Sequence, residues 1–218
     1  MTITTEHDLL SVRMREGSMA EHHEAENSTF MAALLNLEIN AAGYSEYLAR
    51  MLRIYQALEV TGRSLADHPV AGAVVDGALD RVAALKADLA FWSRGQEPKG
   101  ISRATDAYEA RILHTLSEPE LYVAHHYTRY LGDLSGGQVI GKKLAREYRL
   151  VNGRGTEFYT FRQIPKPKVY KDRYRATLNT LPVDEAQADA IVDEVRNVFN
   201  LNGALFGELG TELADYLR

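Results

Sequence analysis

The chain contains no cysteine. That absence removes disulfides, thiolate nucleophiles, cysteine-ligated zinc and iron–sulfur clusters together, and leaves histidine, carboxylate and tyrosine as metal ligands. Proline is scarce, six in 218 residues, and alternating β-branched runs are few, which counts against a sheet protein. Long apolar runs are missing too. No stretch reaches the roughly 18 apolar residues that a membrane helix needs, and the N-terminal MTITTEHDLLSVRMREG carries charges throughout, unlike a signal peptide. A cytoplasmic protein with no membrane segment is expected. Nor is there a surplus of positive charge: 25 basic side chains face 30 acidic ones, a net charge of −5. Nothing global therefore favours nucleic acid or an anionic membrane, and any anion site must be local. The length suits one compact domain, or at most two small ones.

What is present is helical patterning. Residues 44–64, 74–92 and 184–209 place apolar side chains at intervals of three and four with charges between them, and Ala, Leu, Glu and Arg dominate. The expected class is all-α. Asn27-Ser28 can cap a helix, 40–43 reads as a turn, and 62–72, with Pro69, as a loop. Further breaks fall at 95–100 and 117–119. Residues 151–168 mix glycine, aromatics and proline and predict an irregular connection before a basic helix from about Val169. Asp184 with Gln187 resembles a capping box opening the last helix. No repeat or domain boundary is visible, so residues 1–218 read as one unit.

Residues 123–148 should be helical by their flanks, yet Gly132, Gly136, Gly137 and Gly141 fall inside. Each costs about 1 kcal/mol relative to alanine in a helix, so together they sacrifice about 3–4 kcal/mol. Gly132 and Gly136 share a face, which admits a large flat ligand or another backbone and permits a kink. Close helix packing is the plain alternative. Arg129, Asp133, Ser135 and Gln138 around the glycines are more polar than such a seam. Residues 136–142 also satisfy G-x-x-x-x-G-K, but Lys143 stands where a phosphate-binding loop carries its hydroxyl, and the preceding residues read as helix.

Near the N-terminus, His22 and Glu26 lie four apart, so a carboxylate can orient an imidazole as a metal ligand, or form an exposed pair without function. No HExxH occurs, because position 27 is Asn. His125-His126 is ambiguous, since adjacent helical residues point in two directions. Lys166, Lys168, Lys171, Arg173 and Arg175 concentrate basic charge, either as a solvated face or, with Lys171 and Arg175 four apart, as a clamp for carboxylates or phosphates.

The string 127–138, YTRYLGDLSGGQ, resembles the signature of heme oxygenases. His22 with Ala25-Glu26-Asn27, residues 54–59 (IYQALE), 158–161 (FYTF) and 202–209 resemble further segments of that family, so the likeness spans nearly the whole chain. It implies an all-α domain holding heme b, at once substrate and prosthetic group, between a proximal and a kinked distal helix. His22 would be the axial iron ligand, oriented by Glu26, with His23 turned about 100° away. Gly132 and Gly136 would let the distal helix approach the porphyrin and leave room for O2. Asp133 would steer protons through ordered water, with Tyr55, Arg129 and Asn202 in the same network. Arg15 (often lysine in relatives), Tyr127, Lys171 and Arg175 would meet the heme propionates, and Ser135 would lie beside the heme.

The implied reaction is oxidative cleavage of heme to biliverdin, ferrous iron and carbon monoxide through a ferric hydroperoxide. O2 is the co-substrate. With no flavin or nicotinamide motif in the chain, electrons would come from an NAD(P)H-dependent reductase or a ferredoxin. Lys142, Lys143, Arg146 and Arg149 are candidates for its docking surface. A heme carrier or sensor on the same helices is one alternative. A heme-free helical enzyme acting on thiamine-like or quinone-precursor substrates is another, although it needs no such glycine-rich string.

Overall fold

A computed structural model describes residues 9–99 and 102–218, with the side chain of Glu26 also outside that description. Residues 1–8 of the segment read as lacking a signal peptide therefore lie outside the described residues, as does Gly100. The described helices are α1 (Leu10–Gly17), α2 (Met19–Glu26), α3 (Thr29–Leu35), α4 (Ala41–Ser64), α5 (Val82–Ser93), α6 (Arg103–His114), α7 (Tyr122–Gly132), α8 (Gln138–Glu147), α9 (Pro167–Leu178), α10 (Glu185–Thr211) and α11 (Leu213–Tyr216). Among the described residues there is no β-strand, only a bridge between Ile39 and Leu217. The all-α expectation holds.

Two long helices organise the rest. In α4, 24 residues long, Tyr44, Tyr47, Leu48, Met51, Ile54, Tyr55 and Leu58 recur at intervals of three and four and are buried. That stripe packs against α5 and α6. In α10, 27 residues long, Ile191, Val195, Val198, Asn202, Leu205 and Leu209 do the same. α10 lies against α1, α2, α3, α6 and α7. Both α2 and α7 are thus held on one scaffold.

The helix ends follow their caps. The Asp184 carboxylate accepts from Gln187 N at 2.8 Å while the Gln187 side chain accepts from Asp184 N at 3.0 Å, the expected capping box. Of the Asn27-Ser28 pair, Ser28 caps α3 by accepting from Met31 N. Asn27 instead closes α2, its amide donating to His23 O at 2.8 Å. The turn expected at 40–43 is a helix start: Asn40 accepts from Gly43 N at 2.9 Å and α4 begins at Ala41. The loop read from residue 62 begins only at Leu65, because α4 continues to Ser64.

The helix predicted from Val74 starts instead at Val82. Two short 3-10 turns, Gly72–Val74 and Gly77–Leu79, take its place. Asp76 accepts from Ala78 N at 2.9 Å, a local bond that competes with helix. The buried Glu59 carboxylate of α4 accepts from Arg81 N at 2.6 Å and Val82 N at 2.8 Å, so the free N–H groups of α5 are satisfied from a neighbouring helix. Periodicity within the segment carries no trace of that partner.

The glycine-rich segment is helical with an offset. Between α7 and α8, residues Asp133–Gly137 form one π-helical turn. A π-turn inserts extra backbone into the ladder and bends the helix, which is the kink the glycines permit. The region 151–168 is irregular as expected, apart from a 3-10 turn at Glu157–Tyr159, and α9 opens on Pro167.

Candidate active site

The bent segment forms one wall of an open cleft. α7 and the π-turn contribute Thr128, Arg129, Gly132, Asp133, Gly136 and Gly137; α2 contributes His22 and Ala25; α10 contributes Phe199, Asn202 and Phe206. A Cβ built on Gly132 or Gly136 meets no atom within 4 Å. Their missing side chains are therefore not needed for packing, and close helix contact is not what these two glycines serve. Gly141 differs, because a Cβ there would come within 2.7 Å of the Tyr159 side chain. The four glycines thus divide into a pair that keeps the cleft open and a pair, Gly137 and Gly141, that admits Tyr159.

Behind the glycine face lies a buried polar network. The Tyr55 phenol donates to the Asp133 carboxylate. Arg129, fully embedded, donates from Nε to the Tyr55 hydroxyl at 3.3 Å and from Nη1 to Asn202 Oδ1 at 2.9 Å, and its Nη2 stands 3.6 Å from Asp133 Oδ1. Asn202 is fixed in turn by donating to Val198 O at 3.0 Å. The network therefore ends on the backbone of α10 rather than on another mobile side chain.

Burial raises the Asp133 carboxyl above the ordinary carboxylate range, against the pull of the Arg129 guanidinium and the Tyr55 bond. Burial opposes the charge on Arg129, but the groups around it, Asp133 among them, outweigh it and hold the guanidinium protonated. Burial likewise keeps the Tyr55 phenol protonated. The result is a carboxyl group that can hold or release a proton, beside a fixed cation, on the wall of a cleft. One further polar atom is orphaned there: Thr128 Oγ1 is buried without a partner. An orphaned hydroxyl and a smooth glycine floor suit a flat ligand that has polar atoms at its edge.

On the other side, the His22 ring reaches the cleft at the edge of Phe199, with centroids 5.1 Å apart, and is partly exposed. His23 is exposed and is not among the cleft-lining residues. The expected partnership of His22 with the Glu26 carboxylate lies outside the described residues. A short α2, capped by Asn27 and packed on α10, is what points the histidine inward.

The structure gathers the anion-binding candidates loosely. Burial raises the Tyr127 phenol against the nearby charges of Arg175 and Arg15. The Arg15 side chain is 64% exposed, paired with Glu16 at 3.2 Å, so it is free to reorient. Lys171 Nζ donates to Ser135 Oγ at 2.7 Å, and Ser135 donates to Leu131 O at 2.8 Å, which ties α9 to the π-turn. Arg175 pairs with Asp172 at 3.3 Å. Of the proposed docking residues, Lys142, Arg146 and Arg149 are exposed, whereas Lys143 is tethered to Leu35 O at 2.9 Å.

The ambiguous histidines are core residues. His125 Nε2 meets Glu194 Oε1 at 2.8 Å, and His126 Nδ1 meets the Tyr174 hydroxyl at 2.8 Å. Cleft residues given no role by sequence reasoning include Met31, Tyr47, Thr128, Ile140, Tyr159, Phe199 and Phe206. The available signal was spacing: Phe199 precedes Asn202 by three, and Tyr47 precedes Tyr55 by eight on the same face of α4.

Comparison with known proteins finds relatives that span most of the chain. The profile of the family described as heme oxygenase matches residues 8–208. Heme oxygenase 1 of the cyanobacterium Synechocystis is 37% identical over 203 residues, covering 92% of this chain and 84% of that protein. Heme oxygenase 1 of Rattus norvegicus is 38% identical, covering 94% and 73%. Among solved structures, Synechocystis heme oxygenase-1 in complex with heme superposes with a TM-score of 0.88 at 38% identity, covering 94% of each chain. Heme oxygenase from Leptospira interrogans gives 0.84 at 34%, covering 91% of this chain and 98% of that one.

Proposed function

The chain belongs to the heme oxygenase family, and from that premise we propose that its cleft binds heme b and that the protein opens the porphyrin ring with O2 to biliverdin, ferrous iron and carbon monoxide. The observation that carries this reading is the pairing on one wall of two glycines that nothing packs against with a buried Asp133–Tyr55–Arg129–Asn202 network. A heme carrier or sensor needs the open floor but gains nothing from a buried carboxyl network beside it. Bound heme supplies the iron that activates O2 and the ring carbon that is oxidised.

The residues divide the remaining work. His22 would hold the heme iron through its imidazole; a thiolate in that position would favour O–O cleavage and a different oxidant. Gly132 and Gly136 set the clearance above the ring, and Phe199, Phe206 and Ile140 exclude bulk water from it. Arg15, Tyr127, Lys171 and Arg175, which do not line the cleft themselves, would bind the propionates. Ser135, already holding Lys171, transmits that contact to the π-turn. Asp133, whose carboxyl burial pushes toward protonation, would order water beside the cleft through which a proton can pass to the substrate. Tyr55 and Arg129 fix the orientation of the carboxyl, and Asn202 fixes Arg129.

Electrons come from an external donor, an NAD(P)H-dependent reductase or a ferredoxin. An acidic face on that partner would suit the exposed Lys142, Arg146 and Arg149 at the end of α8. A cytoplasmic setting supplies such donors, and among the described residues no helix is long and apolar enough to cross a membrane.

The ligand assignment is tested by titrating hemin into His22→Ala and His23→Ala and following the heme absorption spectrum. The first should lose the histidine-ligated spectrum and recover it with added imidazole; the second should keep it. The reverse result would move the ligand by one residue.

A further inference from the structure

A second line of side chains leads away from the cleft and takes no part in proton delivery. Tyr47 and Tyr159 line the cleft wall. Tyr44 stacks on Tyr47 with ring centroids 6.0 Å apart, and its hydroxyl donates to that of Tyr159 at 3.3 Å. The Tyr44 ring meets Trp92 edge-on at 5.1 Å, and Trp92 meets Tyr148 at 4.8 Å. Tyr148, at the end of α8, is half-buried, with the Arg218 guanidinium 4.5 Å over its ring. These rings come from α4, α5, the end of α8 and the Glu157–Tyr159 turn, so the line is assembled across the fold rather than along one helix.

Packing alone would be served by phenylalanine. The chain has six phenylalanines, and Phe30, Phe91 and Phe158 touch this line from its sides, against Tyr47, Trp92 and Tyr159. Every ring in the line itself belongs to one of the two aromatic types that give up an electron readily. Electron transfer falls off exponentially with separation, so rings in van der Waals contact make a far faster path than the intervening aliphatic core.

We propose that Tyr159 and Tyr47, Tyr44, Trp92 and Tyr148 form a redox relay that drains an oxidising equivalent from the cleft to the surface. The relay rests on the heme reading above. Its oxidant is heme that has reacted with hydrogen peroxide, and its final donor is a small reductant of the ascorbate class at the surface. Tyr159 gives the first electron and loses its phenolic proton into the cleft. Tyr44 refills Tyr159 by passing an electron and a proton along their shared hydrogen bond. Trp92 then reduces Tyr44, and the missing proton returns from the cleft by the same bond. The Trp92 radical cation keeps its N–H, which donates to Gly155 O at 2.8 Å, and Tyr148 fills it while releasing a proton to solvent. The reductant restores Tyr148 with one electron and one proton. In sum, one electron passes from donor to oxidant, and no side chain is changed.

The test uses the full chain loaded with heme, treated with hydrogen peroxide in the absence of any reductase, and sampled by rapid-freeze electron paramagnetic resonance with peptide mapping of oxidised residues. The chain has a single tryptophan, so a tryptophanyl signal has one assignment. The wild type should show radical density on Trp92 and Tyr148 that ascorbate removes. Trp92→Phe should strand it on Tyr44, Tyr47 and Tyr159, slow its removal by ascorbate several-fold and shift oxidative damage to the cleft. Tyr148→Phe, which keeps the ring and removes the hydroxyl with its 3.3 Å bond to Ile39 O, should prolong the Trp92 signal. Radical position and decay unchanged in both heme-loaded variants would overturn the relay alone. A wild-type chain that takes up no heme, read by absorption before peroxide is added, would overturn the heme reading and the relay with it.

Discussion

At the scale of single residues, the cleft is defined as much by what is missing as by what is there. Gly132 has ordinary right-handed helical angles, φ −60° and ψ −49°, so alanine fits its backbone. No atom lies within 4 Å of the added Cβ. Gly132→Ala should therefore raise stability by about 0.5–1 kcal/mol in urea unfolding while weakening heme binding. Gly141→Ala should do the opposite, losing stability against Tyr159 while leaving the glycine floor intact. Equal behaviour of the two variants in both measurements would remove the distinction between a glycine that serves the ligand and a glycine that serves packing.

At the scale of elements, helices start and stop where polar groups find partners. Glu59 reaches from α4 to satisfy Arg81 N and Val82 N, and so decides where α5 begins. Replacing it with alanine leaves those buried N–H groups unpaired, which should cost about 1–3 kcal/mol in urea denaturation without altering heme uptake. A loss below a few tenths of a kcal/mol would mean that water replaces the carboxylate. The same residue explains what was legible in the sequence. Amphipathic stripes such as Tyr44 to Leu58 and local caps such as Asp184 with Gln187 announce themselves, because their determinants are close in the chain. The start of α5 does not, because its cap lies 22 residues away. The site divides similarly. The glycine face and Asp133 lie in one short string, whereas the anchoring of Arg129 on Asn202 spans 73 residues and was accessible only through resemblance. The two roles of the glycines also required the position of Tyr159.

At the scale of the whole molecule, buried ionisable groups couple stability to pH. His126, held by Tyr174 and packed against Tyr122 and Tyr130, has its pKa pushed down by burial to about 3. The unfolded chain takes up that proton near the ordinary value of about 6.5, so the stabilisation is complete above pH 6.5 and declines as pH falls toward 3, by up to about 1.4 kcal/mol per unit. Glu194, pulled down to about 2 with His125 and Arg111 as partners despite its burial, adds a decline in the same direction below its ordinary range. Asp88, raised by burial to about 6, works the other way, losing stability as pH rises through that region. His126→Phe should flatten the acid limb of stability between pH 6.5 and 5, measured by urea unfolding at each pH. An unchanged slope would place the proton elsewhere.

The whole molecule also frames the central claim, that the glycine floor and the buried carboxyl network together make a ring-opening enzyme rather than a heme store. The most direct measurement follows the absorption spectrum of the hemin-loaded chain on adding reductant in air with catalase present, beside Asp133→Asn. The wild type should bind heme through histidine and then convert it to biliverdin with release of carbon monoxide, while Asp133→Asn binds heme equally and loses most of that conversion. Stable heme in the wild type, or full biliverdin yield without the Asp133 carboxyl, would contradict it.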